Sequence, residues 1–229
     1  MKQSILALIP ARGGSKGLPR KNLAKLGGKS LVAHSVAVAL ASGLQEKIVV
    51  STDDEEIATE ARKCGAEVPF LRPSSLATCT ASPVDVTLYT LDQLREMFNY
   101  SPEWVLLLQP TSPLRIAEDL RGAWNLAQQA NCEAVLSVNE PAQHPLLAYR
   151  MTPDRRLEPF FKHQATRRQD LPKAVCPNGA VYLIKVEALR RERTFAPPGT
   201  LGNLMPTERS VDIDTAYDLK LASFFLSYR

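Results

Sequence analysis

Short apolar runs alternate with capped helical segments over roughly the first 140 residues, and this order restricts the fold more than any other feature. The runs are too short for helices and are typical of buried strands; they are Ser4–Ile9, Lys47–Ser51, Trp104–Gln109 and Ala134–Val138. Strands that alternate with helices usually form a parallel sheet covered by helices on both faces. The sequence therefore predicts an α/β fold with a doubly wound, mostly parallel sheet.

Capping residues mark the starts of the intervening helices. Ser30, either Asp53 or Asp54, and Ser82 each precede a helical segment and have the short polar side chains that N-caps prefer. A further helix is predicted over roughly Ala117–Ala130.

In open parallel sheets, ligands bind beyond the carboxyl ends of the strands. We expect four segments to lie at strand ends and to face one pocket: Ala11–Asn22, Ser51–Asp54, Gln109–Arg115 and Val211–Thr215.

The alternation stops between about Glu140 and Lys173, which is rich in Pro, His, Arg and Gln. We expect a hairpin arm here, inserted in a single domain that spans residues 1–229. The Pro and Gly content of Ala196–Pro206 predicts a loop.

Composition excludes several classes of protein. The apolar fraction of 45% suits a full core, and the longest apolar run is too short to span a membrane. The N-terminus lacks the features of a signal peptide, so we expect a cytoplasmic protein without membrane contact. The four cysteines are then expected to be reduced thiols, and their spacing does not favour a zinc site.

The segment IPARGGSKGLPRKN, Ile9–Asn22, predicts an anion site. It follows a strand, holds three glycines and four cations, and contains no acid. Glycines allow backbone N–H groups to approach an anion closely, and Arg12, Lys16 and Lys21 can bind phosphate oxygens. Because no acid is near in sequence, Lys21 is expected to have no structural partner. The alternative is a glycine-rich surface turn with solvated cations.

Charge along the chain favours a small polyphosphate ligand. The net charge is only +4, but seven cations precede the first acid, Glu46. A local positive field attracts anions. Nucleic acid is the least favoured anion, because this stretch lacks aromatic side chains for base stacking.

The segment VDIDT, Val211–Thr215, predicts a metal site. On an extended strand, Asp212 and Asp214 would point to the same face with Cα atoms about 7 Å apart. Two carboxylates on one face repel unless a cation lies between them, and Mg²⁺ prefers carboxylates together with substrate phosphates. The alternative is a solvated strand end in which Asp214 caps a helix.

Other motifs are weaker when taken alone. Gln109, in QPTSPLR, offers donors and an acceptor for sugar hydroxyls, although this segment could be only a proline-shaped turn. The Asn-Gly pair of PNGAVY could likewise be only a turn.

Together these motifs resemble the acylneuraminate cytidylyltransferase, or CMP-sialic acid synthetase, family. The resemblance covers most of the chain and rests on IPARGGSKGLPRKN, VVSTDDEEIA, FLRPSSLA, LLQPTSPLR, RRQDLP, PNGAVY and SVDIDT, in this order. It implies a Rossmann-like nucleotidyltransferase fold and transfer of CMP from CTP to the anomeric hydroxyl of a nine-carbon sugar acid, with Mg²⁺ and release of pyrophosphate. It also implies a homodimer that exchanges an arm, which would be residues 140–173.

The resemblance assigns roles by position. It implies catalysis by Arg12, Lys21, Asp212 and Asp214, with Mg²⁺ on Asp212 and Asp214. It implies nucleotide contacts from Arg12, Gly13, Ser15, Lys16, Lys21, Asn22, Arg72 and Ser82, and sugar contacts from Gln109, Arg168, Tyr182 and Phe195.

The sugar and the rival functions are left open. Leu147, Cys176 and Ala196 depart from the family pattern near the expected sugar site, so the sugar can be N-acetylneuraminate, its deaminated analogue, legionaminate or a relative. Rival functions are a 3-deoxy-manno-octulosonate type cytidylyltransferase, which the SKGLPRKN continuation disfavours, and a non-catalytic nucleotide-binding regulator, which intact Lys21, Asp212 and Asp214 disfavour. The residues do not identify a general base.

Overall fold

The computed structural model describes residues 4–15, 17–161 and 167–228. Its strands are β1 (Ile5–Pro10), β2 (Lys25–Leu26), β3 (Lys29–Ser30), β4 (Lys47–Ser51), β5 (Trp104–Leu107), β6 (Ala134–Asn139), β7 (Tyr149–Met151), β8 (Leu157–Pro159), β9 (Cys176–Lys185) and β10 (Leu201–Leu204). Its α-helices are α1 (Leu31–Ser42), α2 (Glu55–Lys63), α3 (Pro83–Phe98), α4 (Ala117–Ala130), α5 (Val186–Glu192) and α6 (Ala216–Ser227).

A six-stranded sheet in the order β10-β6-β9-β5-β1-β4 organises the fold. The pairs β1–β4, β1–β5 and β10–β6 are parallel, which confirms the predicted mostly parallel sheet. Strand β9 lies antiparallel between β5 and β6. The inner strands β1 and β5 are buried on both faces, as expected for strands covered by helices.

The predicted helix starts are confirmed. The side chains of Ser30, Asp54 and Ser82 accept hydrogen bonds from the first backbone N–H groups of α1, α2 and α3. Helix α4 spans the predicted residues, and its N-terminus is closed by Asp119, which accepts from the Ile116 N–H. Local capping chemistry is therefore sufficient to place these helices.

Two predictions about the last third of the chain are wrong. Ala196–Pro206 is not only a loop, because it contains β10, which pairs with β6 at the edge of the sheet. Val211–Thr215 does not follow a strand end. This segment is held beside the loop after β5 by a hydrogen bond of 2.8 Å from the Ile213 N–H to the Thr111 carbonyl.

The Asn-Gly pair of PNGAVY lies inside β9 and forms no terminal turn. The pairing of β6 with β9 shifts here: Leu136 pairs with Tyr182, whereas Val138 pairs with Pro177. The extra residues form a bulge in β9, and Gly179 adopts a positive φ of 77°. Bulges redirect side chains and are frequent beside active sites.

The segment between β6 and β9 leaves and re-enters the sheet at one point, because Asn139, the last residue of β6, pairs with Cys176, the first of β9. Within it, β7 and β8 form a separate two-stranded hairpin. This hairpin exposes large apolar side chains, including Tyr149, Met151 and Leu157.

Across the described ranges, no helix has both the length and the apolar character needed to cross a membrane.

Candidate active site

A cleft of about 290 Å³ opens beyond the carboxyl ends of β1 and β5. It is lined by eight of the residues assigned from the sequence: Arg12, Ser15, Lys21, Asn22, Arg72, Gln109, Asp212 and Asp214. Three of the four segments expected to face one pocket therefore meet here. The fourth, Ser51–Asp54, does not line the cleft but supports residues that do.

Side-chain hydrogen bonds within the loop after β1 fix its conformation. The Ser15 hydroxyl donates to the Leu18 carbonyl over 2.5 Å and accepts from the Lys21 N–H. The Asn22 amide, which is almost fully buried, donates to the Arg12 carbonyl over 2.8 Å. Ser15 and Asn22 therefore order the loop that carries Arg12 and Lys21.

Lys21 has an acidic partner, contrary to the expectation from its acid-free surroundings in sequence. Its ammonium lies 2.7 Å from Asp214 Oδ1, a carboxylate 193 residues further along the chain. The Lys21 side chain is mostly buried, whereas Asp214 is exposed. Because an ammonium has three donors, this bond leaves two for other acceptors in the cleft.

Acids near the start of α2 also hold the loop. Arg20 lies outside the cleft lining and pairs with Asp54 and Glu56 over 2.8 and 2.5 Å. Gly13 packs against this helix start so closely that a Cβ would lie 2.7 Å from Asp54 Oδ2. The Gly13 N–H donates to Asp53, so this amide has a protein partner.

Asp53, predicted from the sequence only as an alternative helix cap, supports two parts of the cleft. Besides accepting from Gly13, its Oδ1 atom lies 3.8 Å from Nη2 of Arg72. Arg72 lines the cleft although its side chain is only 3% exposed, and its Nε atom has no partner within the described structure. Burial lowers the pKa of Arg72, and the Asp53 charge opposes this shift. Asp53 thus connects the loop after β1 with a buried cation that faces the cleft.

The loop after β5 is held by a buried arginine. The Nη1 group of Arg115 donates to the carbonyls of Gln109 and Ser112 over 2.7 and 2.6 Å. Its Nη2 group donates to the Ser35 hydroxyl of α1. The Gln109 carbonyl also accepts from the Ser112 N–H, so the guanidinium reinforces a backbone turn. It fixes the backbone at Gln109, whose side chain lines the cleft.

Asp212 is an exposed residue that lines the cleft, and its carboxylate is partly shielded from solvent by the cleft walls. The surrounding walls raise its pKa by desolvation, and the Asp214 charge adds to this, whereas a hydrogen bond from Thr111 and the charge of Lys21 lower the pKa. The negative charges of Asp212 and Asp214 therefore repel each other. Within the described ranges, no cluster of three or more His, Cys, Asp or Glu forms a metal site, so these two oxygen donors suit an ion that completes its shell with water or phosphate.

Tyr182 and Phe195 form one side-chain pair near the cleft. Their ring centroids are 5.5 Å apart in an edge-to-face arrangement. Burial raises the pKa of the Tyr182 hydroxyl, with a smaller contribution from the Asp212 charge. Tyr182 does not line the cleft but pairs in the sheet with Leu107, two residues before Gln109. Phe195 is 8% exposed and packs in the core, so it supports the Tyr182 ring from behind.

The remaining assigned residues lie elsewhere. The Ser82 hydroxyl caps α3. Ser82 itself does not line the cleft, although its neighbours in sequence, Ala81 and Pro83, do. Lys16 lies outside the described residues. Arg168 begins a short 3₁₀ helix, and its side chain lies outside the described part of the structure.

Residues 6–190 match the family model described as Cytidylyltransferase. The chain belongs to the cytidylyltransferase family. Curated family members align with it over nearly their full length. It is 34% identical to a pseudaminic acid cytidylyltransferase of Campylobacter jejuni and 36% identical to a CMP-N,N'-diacetyllegionaminic acid synthase of Legionella pneumophila. Each alignment covers 95% of this chain and 94% of the relative.

A longer relative and a solved structure extend the comparison. The chain is 33% identical to an N-acylneuraminate cytidylyltransferase of Streptococcus agalactiae, with 93% of this chain and 51% of that protein covered. A CMP:2-keto-3-deoxy-manno-octonic acid synthetase complexed with CTP matches with a TM-score of 0.71 over 99% of both chains, at 15% identity. The family assignment and the Rossmann-like nucleotidyltransferase fold predicted from the sequence are therefore confirmed.

Gly17 offers a test of how the loop after β1 packs against Asp214 in this cytidylyltransferase. A Cβ at Gly17 would lie 2.3 Å from the Asp214 carbonyl oxygen, whereas a Cβ at Gly14 would meet no atom of the described residues within 4 Å. Gly17→Ala should therefore displace Asp214 and lower kcat by about 10²-fold or more, the scale of losing one aligned electrostatic group. Gly14→Ala is the matched control. Steady-state kinetics of both variants check this, and equal kcat values would contradict it.

The raised pKa of Asp212 predicts a stabilising substitution. Because the folded chain holds the Asp212 proton more tightly, ionisation of this carboxyl lowers the free energy of unfolding as pH rises from 3.8 through the folded pKa. The cost is therefore larger at pH 7 than at pH 3.8. Asp212→Asn should unfold at a higher temperature than the wild type at pH 7, and the difference should shrink as pH falls toward 3.8.

Thermal melts followed by circular dichroism across this pH range give the measurement. Asp214→Asn is the control, since it breaks the pair with Lys21 and should not be stabilised. An Asp212→Asn melting temperature at or below that of the wild type at pH 7 would show that the Asp212 charge is not destabilising.

Proposed function

We propose that this chain transfers CMP from CTP to the anomeric hydroxyl of a nonulosonic, sialic-acid-like sugar, giving the CMP-sugar and pyrophosphate. The observation that carries the proposal is the cleft itself, in which the cationic loop after β1 meets the Asp212–Asp214 pair. The alignments with the pseudaminic and legionaminic acid enzymes over most of the chain support a nine-carbon sugar acid as acceptor.

Arg12 and Lys21 bind the triphosphate in this proposal, and Lys16 joins them. The anomeric hydroxyl attacks the α-phosphorus as pyrophosphate departs, so the main requirements are alignment and neutralisation of charge on the leaving group. Lys21 is held in place by Asp214, with two ammonium donors left for phosphate oxygens. Arg72 contributes a buried cation that lines the cleft, and Ser82 and Asn22 complete the nucleotide contacts.

Asp212 and Asp214 would hold Mg²⁺. Their fit rests on two observations: both carboxylates face the cleft, and the negative charge of Asp214 raises the pKa of Asp212. When bound, Mg²⁺ supplies positive charge to phosphate oxygens and to the attacking hydroxyl.

Gln109, Arg168, Tyr182 and Phe195 contact the sugar in this proposal. Gln109 presents an amide to the cleft from the rigid loop after β5. Tyr182, supported by Phe195, borders the same region. Arg168 reads the sugar carboxylate, because a guanidinium can bind a carboxylate through two parallel hydrogen bonds.

The hairpin β7–β8 is proposed as a dimerisation arm, within about residues 140–173. Its strands pair only with each other in the described sheets, and Met151 and Leu157 are each more than 60% exposed. Apolar surface of this kind marks contact sites. A second copy of the chain is the partner that an exchanged arm requires, and the arm would bring Arg168 to the neighbouring site.

The central test is pyrophosphate release. The purified chain is incubated with CTP, Mg²⁺ and one of four nonulosonic acids, N-acetylneuraminate, its deaminated analogue, legionaminate or pseudaminate, or with 3-deoxy-manno-octulosonate as the rival acceptor. At least one nonulosonic acid should give stoichiometric pyrophosphate and CMP-sugar. Turnover with 3-deoxy-manno-octulosonate alone, or with none of the sugars, would refute the proposed function.

Lys21→Ala tests the assigned mechanism in the same assay. Loss of its charge at the phosphates should lower kcat by about 10²–10³-fold. Lys25→Ala is the matched control, because Lys25 is exposed and pairs with Glu60 outside the cleft. A Lys21→Ala variant with more than half of the wild-type kcat would remove Lys21 from the mechanism.

Mixed dimers test the arm. Arg168→Ala and Lys21→Ala subunits should each be inactive, but a heterodimer contains one site with both residues intact if the arm crosses to the neighbour. Mixing them should restore activity. Absence of recovery in a sample that contains heterodimers, as checked by differential tags, would place Arg168 outside the neighbour's site.

A further inference from the structure

The bulge in β9 holds a buried polar network that connects both walls of the cleft. Asn178 is 6% exposed and does not line the cleft. Its Oδ1 atom accepts from the Ser137 hydroxyl of β6 over 2.5 Å and from the Ala180 N–H. Its Nδ2 group donates to the Ser210 hydroxyl over 2.8 Å. We call Ser112, Ser137, Asn178 and Ser210 the Asn178 network.

Ser137 compensates for the hydrogen bonds that the bulge removes from the sheet. Its hydroxyl accepts from the Val181 N–H over 2.7 Å and lies 3.2 Å from the Val181 carbonyl. The bulge is therefore fixed from β6 even though regular pairing is interrupted. This anchors Asn178 to the centre of the sheet.

On the other side, Asn178 reaches two segments that form the cleft. The backbone carbonyl of Asn178 accepts a hydrogen bond from the Ser112 hydroxyl of the loop after β5. The adjacent Gly179 packs so closely that a Cβ would lie 3.1 Å from Gln109 Oε1. Ser210, which accepts from the Asn178 amide, lies two residues before Asp212.

These two segments are also joined directly, by the hydrogen bond from the Ile213 N–H to the Thr111 carbonyl. Each of three segments, the bulge, the loop after β5 and the segment carrying Asp212, is therefore hydrogen-bonded to the other two. Side chains that orient metal ligands from behind set the geometry of a site as the ligands themselves do.

We propose that Asn178 is a positioning residue for the Asp212–Asp214 pair, acting through Ser210. This inference rests on the proposed function for the identity of the metal–nucleotide complex. Loss of the Asn178–Ser210 bond would leave the two carboxylates present but less well placed, so the affinity for the metal–nucleotide complex would fall.

Ser210→Ala is the sharpest test, because it removes the acceptor of the Asn178 amide by deleting a single oxygen, which also donates to the Pro206 carbonyl. The local backbone keeps the Ser210 N–H bond to the Thr207 carbonyl, and Arg209 keeps its pair with buried Asp119, so the fold should be retained. Ser223→Ala is the matched control, since that hydroxyl donates to the Leu219 carbonyl within α6.

Two readouts are used. Mn²⁺ binding in the presence of CTP, measured by electron paramagnetic resonance of the free ion, should weaken about tenfold in Ser210→Ala, the scale of losing an outer partner of a metal ligand. In pyrophosphate release, the Mg²⁺ concentration for half-maximal rate should rise by a similar factor, with kcat restored at saturating Mg²⁺. Ser223→Ala should match the wild type in both.

Wild-type Mn²⁺ affinity in Ser210→Ala would overturn the proposal. A fall in kcat that excess Mg²⁺ does not restore, together with a lower melting temperature and unchanged Mn²⁺ affinity, would show a structural role only and would also overturn it. If the wild type released no pyrophosphate with any sugar, the proposed function would fail, while Mn²⁺ binding with CTP would still decide the role of Asn178.

Discussion

The positive charge of the loop after β1 is held in place by carboxylates that come from other parts of the chain. Arg20 pairs with Asp54 and Glu56, Lys21 with Asp214, and the loop amide of Gly13 with Asp53. Without these partners, several cations on a glycine-rich loop would repel one another and remain solvated. With them, the described part of the loop is tied to distant segments of the chain, and the cleft has a cationic wall before a ligand enters. Preorganisation of this kind is the main source of electrostatic catalysis.

The sequence predicted the parts of the fold that depend on local chemistry. Ser30, Asp54 and Ser82 cap helices because each short polar side chain reaches the backbone of the following turn. The buried strands β1 and β5 were recognisable as apolar runs, and their order placed two basic or polar loops at one sheet edge. Most assigned nucleotide and metal residues therefore line a single cleft.

The features that the sequence did not predict depend on contacts between distant residues. No local pattern links Lys21 to a carboxylate 193 residues away. Nor does any local pattern show that Asp53 both accepts a hydrogen bond from the Gly13 N–H and lies beside buried Arg72. Strand β10 was taken for a loop because its Gly and Pro neighbours dominate the local signal, whereas pairing with β6 decides its conformation. The edge-to-face contact between Tyr182 and Phe195 likewise joins residues from separate segments, and no local pattern in the sequence shows it.

The pairing of Asn139 with Cys176 has an evolutionary consequence. Because the arm departs from and returns to neighbouring positions of two paired strands, its ends are fixed by the sheet whatever lies between them. The entropy cost of a loop with fixed ends grows only slowly with its length, so residues can be added, removed or exchanged here while the sheet register is kept. The arm can therefore diversify as a separate module while the residues that line the cleft, at the same carboxyl edge of the sheet, stay constant.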